Sequence, residues 1–98
     1  MDLAYCLVSV FCGERNGLRY LAGEIGKHKE VLEINPVFGE YDLLLKLGSE
    51  DSDDIGDFIE KKLRYVRGVV GVQTFVVPPK LDEEYQRKFR EARGQKPK

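Results

Sequence analysis

Hydrophobic residues follow two spacings along this chain, and the points where the spacing changes predict its elements. Alternating or near-continuous apolar runs predict strands at residues 4–11, 31–38, 41–47 and 69–77. Apolar residues at every third or fourth position predict one helix before the second strand and another before the fourth. These helical stripes are Leu18, Leu21, Ala22 and Ile25, then Ile55, Phe58, Ile59, Leu63 and Val66.

A third helix is predicted after Pro78 and Pro79, which cannot continue the last strand. Its acidic residues come first and its basic residues last, as the helix dipole favours. Its apolar residues recur about every fourth position, at Leu81, Tyr85, Phe89 and Ala92. We therefore expect a domain at residues 1–80, an amphipathic helix at 81–93 and a disordered tail at 94–98.

The element order βαββαβ, followed by an extra C-terminal helix, predicts an α+β ferredoxin-like sandwich of the type that forms dimeric α/β barrels. Helices cover one face of such a sheet, yet both faces of the first and fourth strands are apolar. We expect a second subunit to cover the open face, giving a dimer with sheet packed on sheet. The alternative is that the C-terminal helix folds back over it.

The composition limits the classes of protein to consider. Sixteen basic residues against 17 acidic ones give no net positive charge for autonomous nucleic-acid binding. No apolar run is long enough for a signal peptide or a membrane span, which predicts a soluble cytoplasmic protein. Cys6 and Cys12 would lie about 20 Å apart on an extended strand, so free thiols are expected rather than a disulfide. One histidine and no Cys-x-x-Cys pair argue against a metal site.

The two middle strands form a hairpin whose turn is predicted at Gly39 and Glu40. Asp42 is unexpected just inside a leucine-rich strand, because a carboxylate there must face water, a partner or a ligand. It could also accept hydrogen bonds from amides of its own turn. Tyr41 is expected to pack on the helices, since it shares the strand parity of Leu43, Leu45 and Leu47.

Two segments together resemble the Lrp/AsnC family, and more narrowly its effector-binding domain, called RAM (regulation of amino acid metabolism). They are Phe-Gly-Glu-Tyr-Asp-Leu-Leu-Leu at residues 38–45 and Arg-Gly-Val-Val-Gly-Val-Gln-Thr at 67–74. The family shows a Gly-x-Tyr-Asp hairpin that opens a leucine-rich strand, then a Gly-Val-x-x-Thr-x-Thr strand. Here Val72 replaces the first threonine of that strand and Thr74 keeps the second. The resemblance covers about residues 4–78 with the same element order.

The resemblance implies a dimer that assembles into octamers or rings, with a free amino acid bound between dimers and no cofactor. Gly39, Glu40 and Tyr41 would present backbone groups to the charged ends of the amino acid. Asp42 would hold its α-ammonium group, and Thr74 would supply a hydroxyl. Because the chain starts at the first strand, without the helix-turn-helix of full-length members, the sequence predicts a stand-alone regulatory module. It would change its own assembly or pair with a DNA-binding relative.

Two other functions are compatible with the predicted fold. Dimeric barrels of this type include cofactor-poor enzymes, but such sites need a positioned acid or base. The only histidine, His28, lies at a charged helix end, and no Ser/His/Asp or Cys/His set can be assembled, so we expect no enzyme and assign no catalytic residue. A structural oligomeric adaptor that uses the C-terminal helix for docking is the other alternative.

Overall fold

A computed structural model describes residues 1–11 and 17–94 of the chain. Its four strands form one antiparallel sheet in the order β2-β3-β1-β4, so the first strand is central and the last is at an edge. The predicted ferredoxin-like α+β order with an extra helix is confirmed. The elements are β1 (Asp2–Val10), α1 (Gly17–Gly26), β2 (Val31–Pro36), β3 (Leu43–Ser49), α2 (Ser52–Lys61), a 3₁₀ turn (Leu63–Tyr65), β4 (Val69–Val77) and α3 (Pro79–Gly94).

The core lies between the two central strands and the helices α1 and α2. In the antiparallel register, Cys6 of β1 faces Leu45 of β3, and both side chains are fully buried. Alternate residues of these strands therefore point to the helix layer, where they meet the apolar stripes predicted from the sequence. The buried set is Ala4, Cys6, Val8, Leu21, Ile25, Leu43, Leu45, Leu47, Ile55, Phe58, Ile59 and Leu63.

Helix α2 ends earlier than its apolar stripe predicts. The Asp51 side chain caps it by accepting a hydrogen bond of 2.9 Å from the Asp53 amide. The helix was expected to continue to Val66, yet it ends at Lys61, and a 3₁₀ turn keeps Leu63 buried. Gly68, with φ +103°, then turns the chain into β4.

The connection between β2 and β3 is longer than the tight turn expected at residues 39–40. β2 ends at Pro36 and β3 begins at Leu43, so residues 37–42 form the loop. Pro36 has no amide hydrogen to continue the ladder. The Val37 amide closes the loop by donating to the Asp42 carbonyl over 3.0 Å.

The open face of the sheet carries partly exposed apolar side chains, among them Tyr5 (37% exposed) and Phe75 (49%). Tyr5 and Phe75 face each other in the β1–β4 register, so they form one patch. Helix α3 extends from the end of β4, and within the described part of the chain it has no buried residue. It does not cover the open face, contrary to the alternative considered from the sequence.

The boundaries of the C-terminal segment also differ from expectation. Helix α3 begins at Pro79 rather than at residue 81, because proline fits the first turn of a helix. It also includes Gly94, which was assigned to the tail. Residues 95–98 of the predicted disordered tail, and Cys12, lie outside the described residues. Cys6 is a buried free thiol.

Candidate functional site

The loop between β2 and β3 presents unused backbone donors. Phe38, Gly39 and Glu40 are all exposed, and Gly39 has φ +137°, which side-chain-bearing residues rarely adopt. No amide of residues 38–41 donates a hydrogen bond to a described residue. Amides without a protein acceptor are free to donate to an anion such as a carboxylate, which successive backbone N–H groups of a turn can bind. The predicted backbone contribution of this loop is therefore geometrically available.

We expect Gly39→Ala to lower the free energy of unfolding by about 1–3 kcal/mol, because alanine at this positive φ is strained. Gly23→Ala is the matched control: this position lies within α1, and an added Cβ meets nothing within 4 Å. Removing a helix glycine should raise the free energy by about 0.5–1 kcal/mol. Urea denaturation of both variants checks the opposite signs. Equal changes in both would contradict the strain at Gly39.

Asp42 ties the loop to the central strand. Its Oδ2 accepts a hydrogen bond of 2.8 Å from the Val10 amide, and its own amide donates to the Val8 carbonyl over 2.9 Å. The carboxylate thus bonds β1 rather than the amides of its own turn, which was one of the possibilities left open. No described residue donates to Oδ1. Asp42 therefore has a structural role and one carboxylate oxygen to spare.

Tyr41 points away from the helix layer, where its strand parity had placed it. Its hydroxyl donates to Oε1 of Gln73 over 2.7 Å. Gln73 lies on the open face, because the next residue, Thr74, contacts the buried Cys6 on the opposite face. The parity argument fails because β3 begins at Leu43, two residues after Tyr41. Gln73 itself was not among the predicted site residues, although its polarity on an apolar strand face marks it.

Thr74 faces the helix layer on the edge strand β4. It pairs with Cys6 across the sheet, and its Oγ1 lies 3.4 Å from the Cys6 Sγ. Burial raises the pKa of the Cys6 thiol, while the hydrogen bond with Thr74 acts in the opposite direction to a smaller extent. The thiol therefore stays protonated at neutral pH and is a poor nucleophile.

Thr74 also lines a mostly apolar groove of about 390 Å³ between α2 and β4. Ile55 and Ile59 of α2 line this groove together with Val76 of β4 and Pro79 at the start of α3. The hydroxyl of Thr74 is thus on the opposite sheet face from the Tyr41–Gln73 bond. Within one chain the structure brings Gly39, Glu40, Tyr41 and Asp42 together but leaves Thr74 apart. A single chain therefore does not present the loop and the Thr74 hydroxyl on the same face of the sheet.

The histidine considered in the sequence analysis contacts a core residue. The ring of His28 packs against Phe58, with centroids 5.2 Å apart. Within residues 1–11 and 17–94, no group of three His, Cys, Asp or Glu side chains is placed to hold a metal ion. The helices described in these ranges are all too short or too polar to span a bilayer.

Comparison with known proteins places this geometry in a family. Residues 3–87 match the family described as the Lrp/AsnC ligand binding domain. The chain belongs to this family. The match continues into α3, beyond the segments that carry the resemblance in the sequence. The two segments that carry the resemblance to the Lrp/AsnC family, residues 38–45 and 67–74, lie within the matched range.

Relatives of the Lrp/AsnC chain include transcriptional regulators that are longer than it. It is 36% identical over 66 residues to an uncharacterized HTH-type transcriptional regulator of Pyrococcus abyssi, covering 67% of this chain and 44% of the relative. The chain thus spans about half the length of the curated relatives it matches.

Two solved structures have a similar fold. The crystal structure of FFRP-DM1 superposes with a TM-score of 0.71 at 27% identity, covering 80% of this chain and all of that one. A transcriptional regulator of Neisseria meningitidis, crystallised as an L-Met complex, gives a TM-score of 0.68 at 26% identity. That match covers 79% of this chain and 49% of the regulator.

Proposed function

We propose that this Lrp/AsnC domain is a regulatory module that binds an effector amino acid and performs no chemistry of its own. Binding would change its assembly or its pairing with a DNA-binding member of the family. The observation that carries the proposal is the match of residues 3–87 to the family's ligand-binding domain. The L-Met complex of the Neisseria regulator and the regulator names of the relatives support it.

The loop chemistry suits a zwitterion. The free amides of residues 38–41 would donate to the α-carboxylate, with Gly39, Glu40 and Tyr41 presenting them. The unused oxygen of Asp42 would accept from the α-ammonium group. Charge-assisted hydrogen bonds contribute about 1.5–3 kcal/mol each. A few of them are enough for a sensor of metabolite concentrations.

Assembly completes the proposed site. The apolar open face around Tyr5 and Phe75 is the surface for a homodimer, with one sheet packed on the other. Dimers would then meet so that the loop of one chain lies near Thr74 of another, with the effector between them. Thr74 would offer its hydroxyl from the groove beside α2. A cytoplasmic location stays a prediction from the sequence.

A thermal-shift screen of the twenty amino acids, read with light scattering, tests this function. An effector at about 100 times its Kd should add about 2.7 kcal/mol to the free energy of unfolding. Asp42→Asn should keep an oxygen that accepts from the Val10 amide while losing the negative charge, so the effector's shift should disappear. Asp57→Asn on α2, a 64% exposed carboxylate away from the loop, is the matched control and should keep the shift.

Two results would count against the proposal. No shift with any amino acid at millimolar concentration would refute the sensor. A shift that survives Asp42→Asn would place the effector outside the loop.

A structural adaptor is the second candidate function, because α3 leaves its apolar residues exposed. An adaptor would assemble in the same way with and without amino acids. Saturable binding in the screen therefore separates the adaptor from the sensor. A cofactor-poor enzyme is the remaining alternative from the sequence, and turnover of a bound compound would reveal it. The relatives' names as transcriptional regulators favour a regulatory role.

A further inference from the structure

Helix α3 carries an apolar stripe that no other described element covers, although the Arg93 guanidinium of the same helix lies 5.4 Å from the centre of the Phe89 ring. Leu81, Tyr85 and Phe89 are 47%, 62% and 55% exposed. Their spacing of four residues places them on one ridge of the helix. With about 100° of rotation per residue, neighbouring members of the ridge lie only about 40° apart. The ridge is symmetric about Tyr85, with one large apolar residue one turn away on either side.

The polar residues beside this ridge form two different flanks. On one flank, Lys88 Nζ lies 3.1 Å from the Glu84 carboxylate. On the other flank, the Gln86 side-chain amide donates to Asp82 over 3.4 Å. One flank is thus a pair of opposite charges, and the other is an acid with an amide.

Charge is also divided along the helix. Residues 79–86 contain three carboxylates and one lysine, whereas residues 87–94 contain four basic residues and one glutamate. The first half is therefore negative and the second half positive. Two such helices attract each other when they run in opposite directions, and their dipoles then also oppose favourably.

We propose that α3 pairs antiparallel with α3 of a second copy of this chain, with the two-fold axis passing beside Tyr85. In this arrangement Leu81 packs against Phe89 of the second copy, and the two Tyr85 rings meet at the centre. The contact is self-complementary, as a two-fold interface requires. It does not depend on amino-acid binding and is separate from the sheet face.

The flanks distinguish the antiparallel from the parallel pair. In the antiparallel pair each flank meets the same flank of the other helix, so Lys88 faces Glu84 of the second copy. Their heights along the axis then differ by about 3 Å, from the helical rise. The two Glu84 carboxylates have the same offset from each other, and each of them also has a Lys88 ammonium group beside it. In a parallel pair opposite flanks meet, and Asp82 would face Glu84 of the second copy at a similar height. That like-charge contact is unfavourable.

The pair is too small to hold two copies together alone. Sixteen residues make a helix of about 24 Å, and stable interfaces bury about 800 Å² per partner. Helix pairing therefore adds a second contact to an assembly held elsewhere, as the apolar sheet face provides. The helix pair would remove three large, partly exposed side chains of each copy from water.

Cysteine cross-linking in the full chain tests the register. At a helix contact the two Tyr85 Cα atoms should be about 3.5–5.5 Å apart, which overlaps the range of roughly 4.4–6.8 Å for disulfides. Tyr85→Cys should therefore give a disulfide-linked dimer under mild oxidation. Arg87→Cys, which points about 160° away, is the matched control, and the parent chain gives the background from Cys6 and Cys12. We expect a yield severalfold above both.

A charge swap in the Tyr85→Cys background tests whether the flank that carries Glu84 and Lys88 meets the same flank of the second copy. Lys88→Glu should lower the cross-link yield severalfold, because it places carboxylates opposite each other. Adding Glu84→Lys should restore the yield, since the opposite charges meet again. Circular dichroism melts verify that each variant keeps the fold.

Three results would overturn the helix pair. One is equal cross-linking of Tyr85→Cys and Arg87→Cys, or a Tyr85→Cys yield no higher than that of the parent. Another is a disulfide from the introduced cysteine to Cys6 or Cys12, identified by peptide mapping, which would place α3 elsewhere on the second copy. The third is a double swap that fails to restore the yield. Because none of these readouts uses an amino acid, they are independent of the effector screen.

Discussion

Phe58→Ala is expected to lower the free energy of unfolding by about 3–5 kcal/mol, a large share of the 5–15 kcal/mol that is typical for small domains. Phe58 is only 1% exposed and lies in the middle of the core face of α2. Alanine would remove its contacts and leave a cavity, because the surrounding core can relax only in part. It would also remove the ring against which His28 packs. Guanidinium denaturation followed by circular dichroism measures the loss.

Phe75→Ala is the matched control on the opposite side of the sheet. Phe75 is 49% exposed in a single chain, so the same substitution should change the stability of the protomer far less. If the open face is the dimer interface, Phe75→Ala should instead weaken self-association, measured by sedimentation. Equal loss of protomer stability in the two variants would contradict the layer arrangement described here.

Asp42→Ala is expected to lower the free energy of unfolding by about 1–3 kcal/mol. The substitution leaves the Val10 amide without the carboxylate oxygen that lies 2.8 Å from it. For a domain of this size, each kcal/mol lowers Tm by about 4–8 °C. Differential scanning calorimetry at neutral pH without amino acids measures the effect apart from any ligand.

Two further variants serve as controls for Asp42→Ala. Asp42→Asn keeps an oxygen acceptor and should recover most of the lost stability. Asp57→Ala removes an exposed carboxylate that pairs with Lys61 over 3.5 Å, and such a pair contributes less than about 1 kcal/mol. A loss for Asp42→Ala no greater than that for Asp57→Ala would mean that the hydrogen bond between the Val10 amide and Asp42 contributes little to the stability of the fold. Effector experiments with Asp42→Ala alone would confuse binding with folding, which is why the asparagine variant is preferred there.

The fold was predictable because its elements repeat simple patterns. Alternation in β1 puts Cys6 and Val8 on one face, which the structure shows to be the core face, and the spacing of Ile55, Phe58 and Ile59 gives α2 the apolar stripe that covers it. The shorter end of α2 was not predictable, because a 3₁₀ turn keeps Leu63 buried just as another helical turn would. The spacing of apolar residues also predicted a helix in the region of α3. It could not show that this helix leaves the sheet uncovered, because that depends on tertiary contacts.

The loop was predicted less well, for a physical reason. Strand parity holds only while the backbone stays in the ladder, and Tyr41 lies before β3 begins. The Asp42–Val10 and Tyr41–Gln73 hydrogen bonds join residues 32 positions apart, which no local pattern contains. The separation of the Thr74 hydroxyl from the loop follows from the alternation of β4, since Gln73 reaches Tyr41 on one face and Thr74 contacts Cys6 on the other. Motif residues that are close in a family pattern can thus lie on different faces of one chain.

The strand order also has a consequence for folding, because β1 pairs with β4, the strand farthest from it in sequence. Of the four strands, β1 is synthesised first. Thr74, which pairs with Cys6 of this strand, comes 68 residues later. Pairings between such distant segments form slowly, because the loop between them must close before any contact forms. Until then, Val69–Val77 is an uncharged segment without proline and rich in β-branched residues, the composition that promotes intermolecular strand pairing. Aggregation before β4 docks onto β1 is therefore a hazard of this topology, and docking pairs one edge of this segment.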